Sequence, residues 1–571
     1  MAITVGRDTS SATELELGIF ESMLGEVDPM SLARSLGVTG RHLAMRPQVT
    51  MPAFARFGTG LGLAAVDVLT RTLTGRLEEP VATEAGDLRF RDPTWARNPV
   101  FRMILEAYLA GVRLTGELVA GAGLDERTDP RAQFATGLLA DAAAPTNVLL
   151  TNPAALKRAF ETGGASVLKG ARNLVADLRE NGGWPRQVDT SSFELGVNLA
   201  ATPGKVVFRN ELIEVLQYDA STPEVHEIPL LVCPPWINRY YIADLAPGKS
   251  LVEWAVRHGH STFAISYRNP DASMRDLTFD DFVRLGPLSA IDAVRSIAGC
   301  DVTNIVSICL GGTLTTISLA YLEAVGDHLV NSSTLLNSAV DYSECGVLAD
   351  VFANESTVDA MSRRMIDTGY LEAKEMTRTF SLLRANDLVF RYVVDGWLMG
   401  QDPPAFDLLA WNDDSTRMPG KTHAHFLRKM YGENALAEGS MSVLEEPLQL
   451  SSITADHYVV AAVEDHIVPW QSSYRTTQLV KAPMRFVLTS AGHIAGIVNP
   501  PNPKARLWVN DGDTPTDPAA WLSAATEHPA SWWEDWRQWL GEHAGDLRPP
   551  REPGSPEHPP LADAPGEYVR S

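Results

Sequence analysis

Residues 305–321 read IVSICLGGTLTTISLAY, and this stretch decides the fold. An apolar, β-rich run (Ile305-Val306-Ser307-Ile308) meets Cys309. Leu310, Gly311 and Gly312 follow, and then an amphipathic helical pattern. A strand that turns straight into a helix lifts the residue at the turn out of the sheet. Such a turn crowds the backbone, which explains the glycines beside it. The helix start leaves N–H groups free to bind an oxyanion or to lower a thiol pKa. On this stretch alone, a βα turn around a buried structural cysteine would read the same way.

Two further stretches weigh against that bland reading. Residues 459–470 (VVAAVEDHIVPW) are an apolar strand with Asp465 and His466 at its end, and 486–498 (FVLTSAGHIAGIV) are a strand followed by Gly492-His493. Cys309, Asp465 and His493 stand in the order nucleophile, acid, histidine, which is the α/β-hydrolase order with cysteine in place of serine. Each follows a predicted strand, so all three project from the carboxyl edge of one parallel sheet, where such folds place ligands. The 28 residues from acid to histidine leave room for one strand–helix–strand step. The 156 residues from nucleophile to acid exceed one βα unit and imply an inserted cap.

The surrounding pattern agrees. Residues 206–219 (VVFRNELIEVLQYD) alternate as strands do, and LLVCPP (230–235) and STFAISY (261–267) are short strand runs. Helical stretches between them give the βαβα alternation of a parallel sheet. The expected organisation is a partly disordered amino terminus (1–50), a mainly helical domain (51–200), an α/β-hydrolase catalytic domain (201–545) with its cap at about 346–440, and an extended tail (546–571) rich in Pro, Gly and charge.

Composition sets outer bounds. With 571 residues, 45% hydrophobic and 21% charged, the chain is ordinary for a globular protein. A formal net charge of −23 with no strongly basic stretch argues against a nucleic-acid partner. The four cysteines (Cys233, Cys300, Cys309, Cys345) show no CxxC spacing, so neither a metal site nor a redox pair is expected. No signal peptide and no 18-residue apolar run is visible, so no transmembrane segment is expected and the cytoplasm is the default compartment.

Several blocks together resemble the polyhydroxyalkanoate synthases, which polymerise hydroxyacyl-CoA into storage polyester. CPPWINRYYIADLAPGKSLVEWAVRHGHSTFAISYRNPDAS (233–273) is similar to that family's most recognisable block, and SICLGGT (307–313) to its lipase-like box. WNDDSTRMPG (411–420), VEDHIVPW (463–470), SAGHIAGIVNPP (490–501) and PGEYV (565–569) also match. So do DLRFRDPTWARNPVFRMILEAYL (87–109) and PTNVLLTNPAALKRAFETGG (145–164) in the amino-terminal half. The likeness covers roughly residues 85 to 545. Trp236 in the PPWIN block and the single long chain look like the class I enzymes, which prefer short chains such as 3-hydroxybutyryl-CoA.

The resemblance implies Cys309 as nucleophile, His493 as base and Asp465 as acidic partner. It implies a hydroxyacyl-CoA substrate, a growing polyester chain with its granule surface and the proteins on it, and a homodimer. No cofactor is implied, since CoA is part of the substrate and a product. Thioester-to-thioester exchange is nearly balanced in energy, so a thiolate suits an acyl carrier that must load and unload repeatedly. His493 raises the thiolate fraction. Asp465 either holds the imidazole tautomer or acts as base on the incoming 3-hydroxyl. The oxyanion donors are expected to be the backbone N–H of Leu310 and of Ile237 in the PPWIN loop.

Other residues carry plainer readings. His466 reads as a strand-end histidine, and His423 and His425 show no metal-ligand constellation. Trp532, Trp533, Trp536 and Trp539 form a helical stripe that core packing explains, with polymer contact as the alternative. Cys233, Cys300 and Cys345 read as inert thiols. Two rival functions stand beside the synthase: an intracellular polyester depolymerase or thioesterase of the same fold, and an inactive granule scaffold.

Overall fold

Buried strands of a parallel sheet carry apolar side chains on both faces, so they read as continuous runs rather than alternations. The second half of the chain supplies such runs, and in the computed structural model they join one sheet of eleven strands. The structure describes residues 29–75, 79–83, 87–125, 128–346 and 355–571. In chain order the strands are β1 (Gly204–Arg209), β2 (Ile213–Tyr218), β3 (Leu230–Cys233), β4 (Thr262–Tyr267), β5 (Thr303–Ile308), β6 (Val330–Leu336), β7 (Asp456–Ala462), β8 (Met484–Thr489), β9 (Leu507–Val509), β10 (Thr526–His528) and β11 (Ala562–Asp563).

They lie side by side as β10-β9-β8-β7-β6-β5-β3-β4-β2-β1-β11. The six strands from β8 to β4 are mutually parallel. β2 runs antiparallel to both β1 and β4. The order β1-β2-β4-β3-β5-β6-β7-β8 with β2 reversed is that of the α/β-hydrolase fold, as the elbow sequence implied. Every residue of β4 and β5 is buried. Leu231 of β3, Ile265 of β4 and Ile305 of β5 share one core with Ile291 and Val294 of the helix Ser289–Ala298 and with Leu314 and Ile317 of the helix Leu310–Val325. Each such side chain contributes about 1.5–3 kcal/mol by leaving water. This core fixes the strand ends, and the strand ends fix the site.

Contacts divide the chain into two compact units. One is the sequence up to Asp189 together with Thr377–Ala405, and the other is Thr190–Met376 together with Phe406–Ser571. The first unit is helical, with Pro29–Ala44, Pro47–Thr74, Pro99–Gly121, Thr128–Ala142, Pro153–Glu161 and Ala165–Glu180. Asn98 and Asn152 start two of these helices, each accepting backbone N–H bonds ahead of a proline at the first helical position. Residues 377–405 belong here because Trp397 donates its indole N–H to Asp177 (2.7 Å), and a Cβ on Gly170 would lie 2.0 Å from the Trp397 carbonyl oxygen.

The partial disorder expected for 1–50 lies outside the described residues for 1–28, and from Pro29 to Ala44 the chain is helical. No uninterrupted apolar run of 18 residues occurs, and Pro47–Thr74 contains Arg56, Asp67 and Arg71. By length and composition alone this helix is nonetheless long and apolar enough to cross a membrane, and only 6% of its most apolar window is buried. Beyond residue 546 the chain lies along the sheet, where Ala562 and Asp563 pair with Val206 and Lys205 of β1.

Candidate active site

Cys309 follows the last residue of β5 with φ 53° and ψ −124°, a conformation that costs a non-glycine residue energy and turns its side chain out of the sheet. Its N–H is tied to the Leu336 carbonyl of β6 at 2.8 Å. The helix Leu310–Val325 starts at the next residue. A Cβ on Gly311 would lie 2.3 Å from the Cys233 carbonyl oxygen and 2.6 Å from that of Pro234, so only glycine lets the helix reach the loop after β3.

β7 and β8 are parallel neighbours, so their carboxyl ends bring Asp465 and His493 together. His493 Nδ1 donates to Asp465 Oδ2 at 2.6 Å. Asp465 Oδ1 accepts the backbone N–H groups of Ile467 and Val468, both at 2.9 Å. The Asp465 side chain has no exposed surface, so both oxygens are committed inside the protein. With Nδ1 on Asp465, the other imidazole nitrogen is left for Cys309, which lies close enough to act on the charge of the same ring. Burial disfavours the imidazolium, but the Asp465 and Cys309 charges outweigh it and hold the His493 pKa well above its ordinary 6.5. The structure therefore brings together the three residues that the sequence singled out.

Leu310 opens its helix, so its N–H has no carbonyl one turn back to bond. Ile237 lies half-buried in the turn after β3, and its N–H donates to no carbonyl among the described residues. Above the elbow, the Tyr342 and Tyr431 rings meet edge to face at 4.8 Å, with Phe426 against both. Burial first, and then the neighbouring Cys345 and Cys309, push the Tyr342 hydroxyl well above its usual range. Trp236 packs edge-on against Phe279 and Phe426.

Three supports of His493 were not legible in the sequence. Asn337, just past β6 with φ 46°, donates its side-chain N–H to the His493 carbonyl. Trp532 and Trp533 donate their indole N–H groups to the carbonyls of Gly496 (2.8 Å) and Ile497 (2.9 Å), pinning the loop that follows the histidine. The tryptophan stripe is core, as the spacing suggested: Trp532, Trp533 and Trp536 are buried and Trp539 is half-buried.

The remaining candidates stand apart from this geometry. His466 is half-buried beside Asp465, whose oxygens are already engaged. Burial pushes His423 down to about 4, and His425 stacks on Phe279. None of the four cysteines is in a disulfide. Cys233 is pushed by burial up to about 12, Cys300 is half-buried, and Cys345 is buried. No group of three or more His, Cys, Asp or Glu among the described residues could hold a metal ion.

Comparison with known proteins matches residues 86–255 to the family described as poly-beta-hydroxybutyrate polymerase (PhaC) N-terminus. A poly(3-hydroxyalkanoate) polymerase of Methylorubrum extorquens is 40% identical over 95% of this chain and 90% of its own. Poly(3-hydroxyalkanoate) polymerase 1 of Ectopseudomonas oleovorans is 39% identical over 97% and 98%. The PhaC polymerase subunit of Cupriavidus necator is 42% identical over 85% and 83%. Among solved structures, a monoacylglycerol lipase of Paleococcus ferrophilus aligns with 58% of this chain and all of its own at 12% identity and a TM-score of 0.33. The likeness to the polymerases runs nearly end to end, and the chain belongs to the poly(3-hydroxyalkanoate) polymerase family of acyltransferases.

Proposed function

We propose that this enzyme polymerises (R)-3-hydroxyacyl-CoA, with short units such as 3-hydroxybutyryl-CoA, through a thioester on Cys309. The observation that carries the reading is Cys309 at the strained elbow with His493 and Asp465 at the ends of β8 and β7. His493 takes the Cys309 proton, and the thiolate attacks the substrate thioester carbonyl. The N–H groups of Leu310 and Ile237 bind the oxyanion. The intermediate collapses with cleavage of the carbonyl carbon–CoA sulfur bond, and the CoA thiolate takes the proton back from His493. In elongation the hydroxyl of one unit attacks the thioester of another, His493 accepts that proton, the acyl carbon–sulfur bond breaks, and the departing thiolate takes the proton from His493.

Asp465 acts in this scheme as the orienter of His493 rather than as base on the hydroxyl. With Oδ1 on two amides and Oδ2 on the ring, it has no oxygen to offer a substrate. The aromatic packing around Trp236 supports short acyl units, because it fills space beside the elbow loop. The scheme needs no cofactor beyond the CoA that the substrate brings. Within the insertion, residues 406–440, from which Phe426 and Tyr431 come, serve as a cap that keeps water from the acyl thioester. A helical domain that takes in 377–405, an α/β-hydrolase catalytic domain, a homodimer as active form, and residence at cytoplasmic polyester granules belong to the same reading.

The test is mass spectrometry of the purified protein after brief exposure to 3-hydroxybutyryl-CoA, with the products analysed in parallel. The expected result is a hydroxybutyryl adduct on Cys309, released CoA and polymer. Monomeric acid as the product, without polymer, would favour the depolymerase or thioesterase reading.

A further inference from the structure

Arg239 stands two residues beyond Ile237, in the loop after β3. It is 7% exposed, and its guanidinium faces three acceptors from two other parts of the chain. Nε donates to Asp414 Oδ1 (3.2 Å), Nη1 to the Tyr568 carbonyl (3.3 Å) and Nη2 to a main-chain oxygen of Ser571 (2.8 Å). Its own backbone is tied on both sides, since the carbonyl accepts the Trp411 indole N–H (2.9 Å) and the amide donates to Asn238. The second Asp414 oxygen accepts the Tyr241 hydroxyl at 2.9 Å. A cation this buried is tolerable only when its donors are paired.

Residues 566–571 are anchored by a second buried charge. The Glu214 side chain on β2 has no exposed surface, and Oε2 accepts the N–H groups of Glu567 (3.1 Å) and Tyr568 (3.0 Å). The Tyr568 hydroxyl donates to the Asn210 carbonyl at 2.6 Å. Gly566 has φ +83°, and a Cβ there would lie 2.4 Å from Glu214 Oε2, so glycine alone fits. Two buried ionic groups thus hold residues 566–571 against the oxyanion loop, with Asp414 of the proposed cap on the same guanidinium.

We propose that Arg239 is a positioning residue for acyl transfer: residues 566–571, seated by Glu214, lock its guanidinium and so hold the Ile237 loop in the geometry that binds the oxyanion. This rests on the role proposed for Ile237 and Cys309. The latch acts on the transition state of thioester attack. It does not act on the Cys309–His493 pair, which is supported from β6, β7 and β8.

That distinction supplies the experiment. Alkylation of Cys309 by iodoacetamide needs the thiolate but no oxyanion site, whereas acylation by 3-hydroxybutyryl-CoA needs both. Both rates are measured on the full chain, on Arg239→Lys, and on a chain lacking residues 566–571, with melting followed by circular dichroism. Acylation should fall by about 10- to 100-fold in both variants, up to the lower end of the about 10²–10³-fold cost of losing one oxyanion donor outright, while alkylation stays within about twofold. A synthetic PGEYVRS peptide should restore acylation of the shortened chain but not of Arg239→Lys. Unchanged acylation in both variants, or alkylation falling in parallel with it, would overturn the proposal. If the shortened chain fails to fold, Arg239→Lys decides alone. Failure of the full chain itself to be acylated on Cys309 would instead overturn the proposed function.

Discussion

Asp465→Asn keeps the size of the side chain and removes its charge, and the structure dictates how the amide must sit. The amides of Ile467 and Val468 require an acceptor, so they keep the carboxamide oxygen. Turning the NH2 toward them would set donor against donor in a fully buried position, at about 1–3 kcal/mol for each unsatisfied group. The NH2 therefore faces His493 Nδ1, which must become an acceptor. The ring proton moves to the nitrogen facing Cys309, and the imidazole can no longer take the thiol proton. In a serine triad the same exchange costs about 10⁴ in kcat. A thiol with an ordinary pKa of about 8.5 supplies some thiolate unaided, so we expect a loss of about 10²–10³ in the acylation rate, or about 3–4 kcal/mol. The variant should also recover with rising pH as the thiol ionises by itself. Rapid quench with 3-hydroxybutyryl-CoA at pH 7, followed by mass spectrometry of Cys309, measures the rate. Acylation at the unmodified rate with elongation alone impaired would refute the reasoning and return Asp465 to the incoming hydroxyl.

Three further outcomes are expected. Cys309→Ala should abolish polymerisation while Cys300→Ala leaves most of it, read by CoA release; appreciable polymer from purified Cys309→Ala would remove the nucleophile assignment. Gly311→Ala should cost about 1–3 kcal/mol and most of the activity, because its Cβ meets two backbone carbonyls, at 2.3 and 2.6 Å, rather than a side chain that could turn aside; an unchanged melting temperature would contradict that contact. Because His493 is raised above 6.5, its charging stabilises the fold in full below that value, and the contribution fades as pH climbs through the raised pKa. His493→Gln should accordingly lose more stability at pH 6 than at pH 10 in urea titrations, and equal losses at both would speak against the charged pair.

The triad was legible because each member ends an apolar run and because chain order is itself a signal. The fold followed from the same runs, since βα alternation permits few sheets. What stayed hidden depends on distance along the chain or on the backbone. Asn337 meets His493 across 156 residues, and nothing local marks a lone asparagine as its support. The tryptophan stripe announced a core helix, but not that two indole N–H groups would seat the histidine loop. Oxyanion donors are backbone groups and leave no side-chain signature, so Ile237 was reached only from its place in the loop. Residues 377–405 resemble their neighbours in composition, and only contacts such as Trp397 with Asp177 and Asn173 with the Gly396 carbonyl show which unit they pack with. The Pro- and Gly-rich residues beyond 546 read as extended, while their anchor, Glu214, sits in a strand far upstream.

The two outermost strands of the sheet are short: β10 has three residues, like its neighbour β9, and β11 has two. A long bare rim of N–H and C=O groups is a template on which another copy can add its own strand. Here each rim ends in a stub, one fully exposed and flanked by Pro529, the other carrying an Asp563–Lys205 ion pair. Blunt rims leave a neighbouring copy no long edge to extend, and so keep one sheet from knitting into the next.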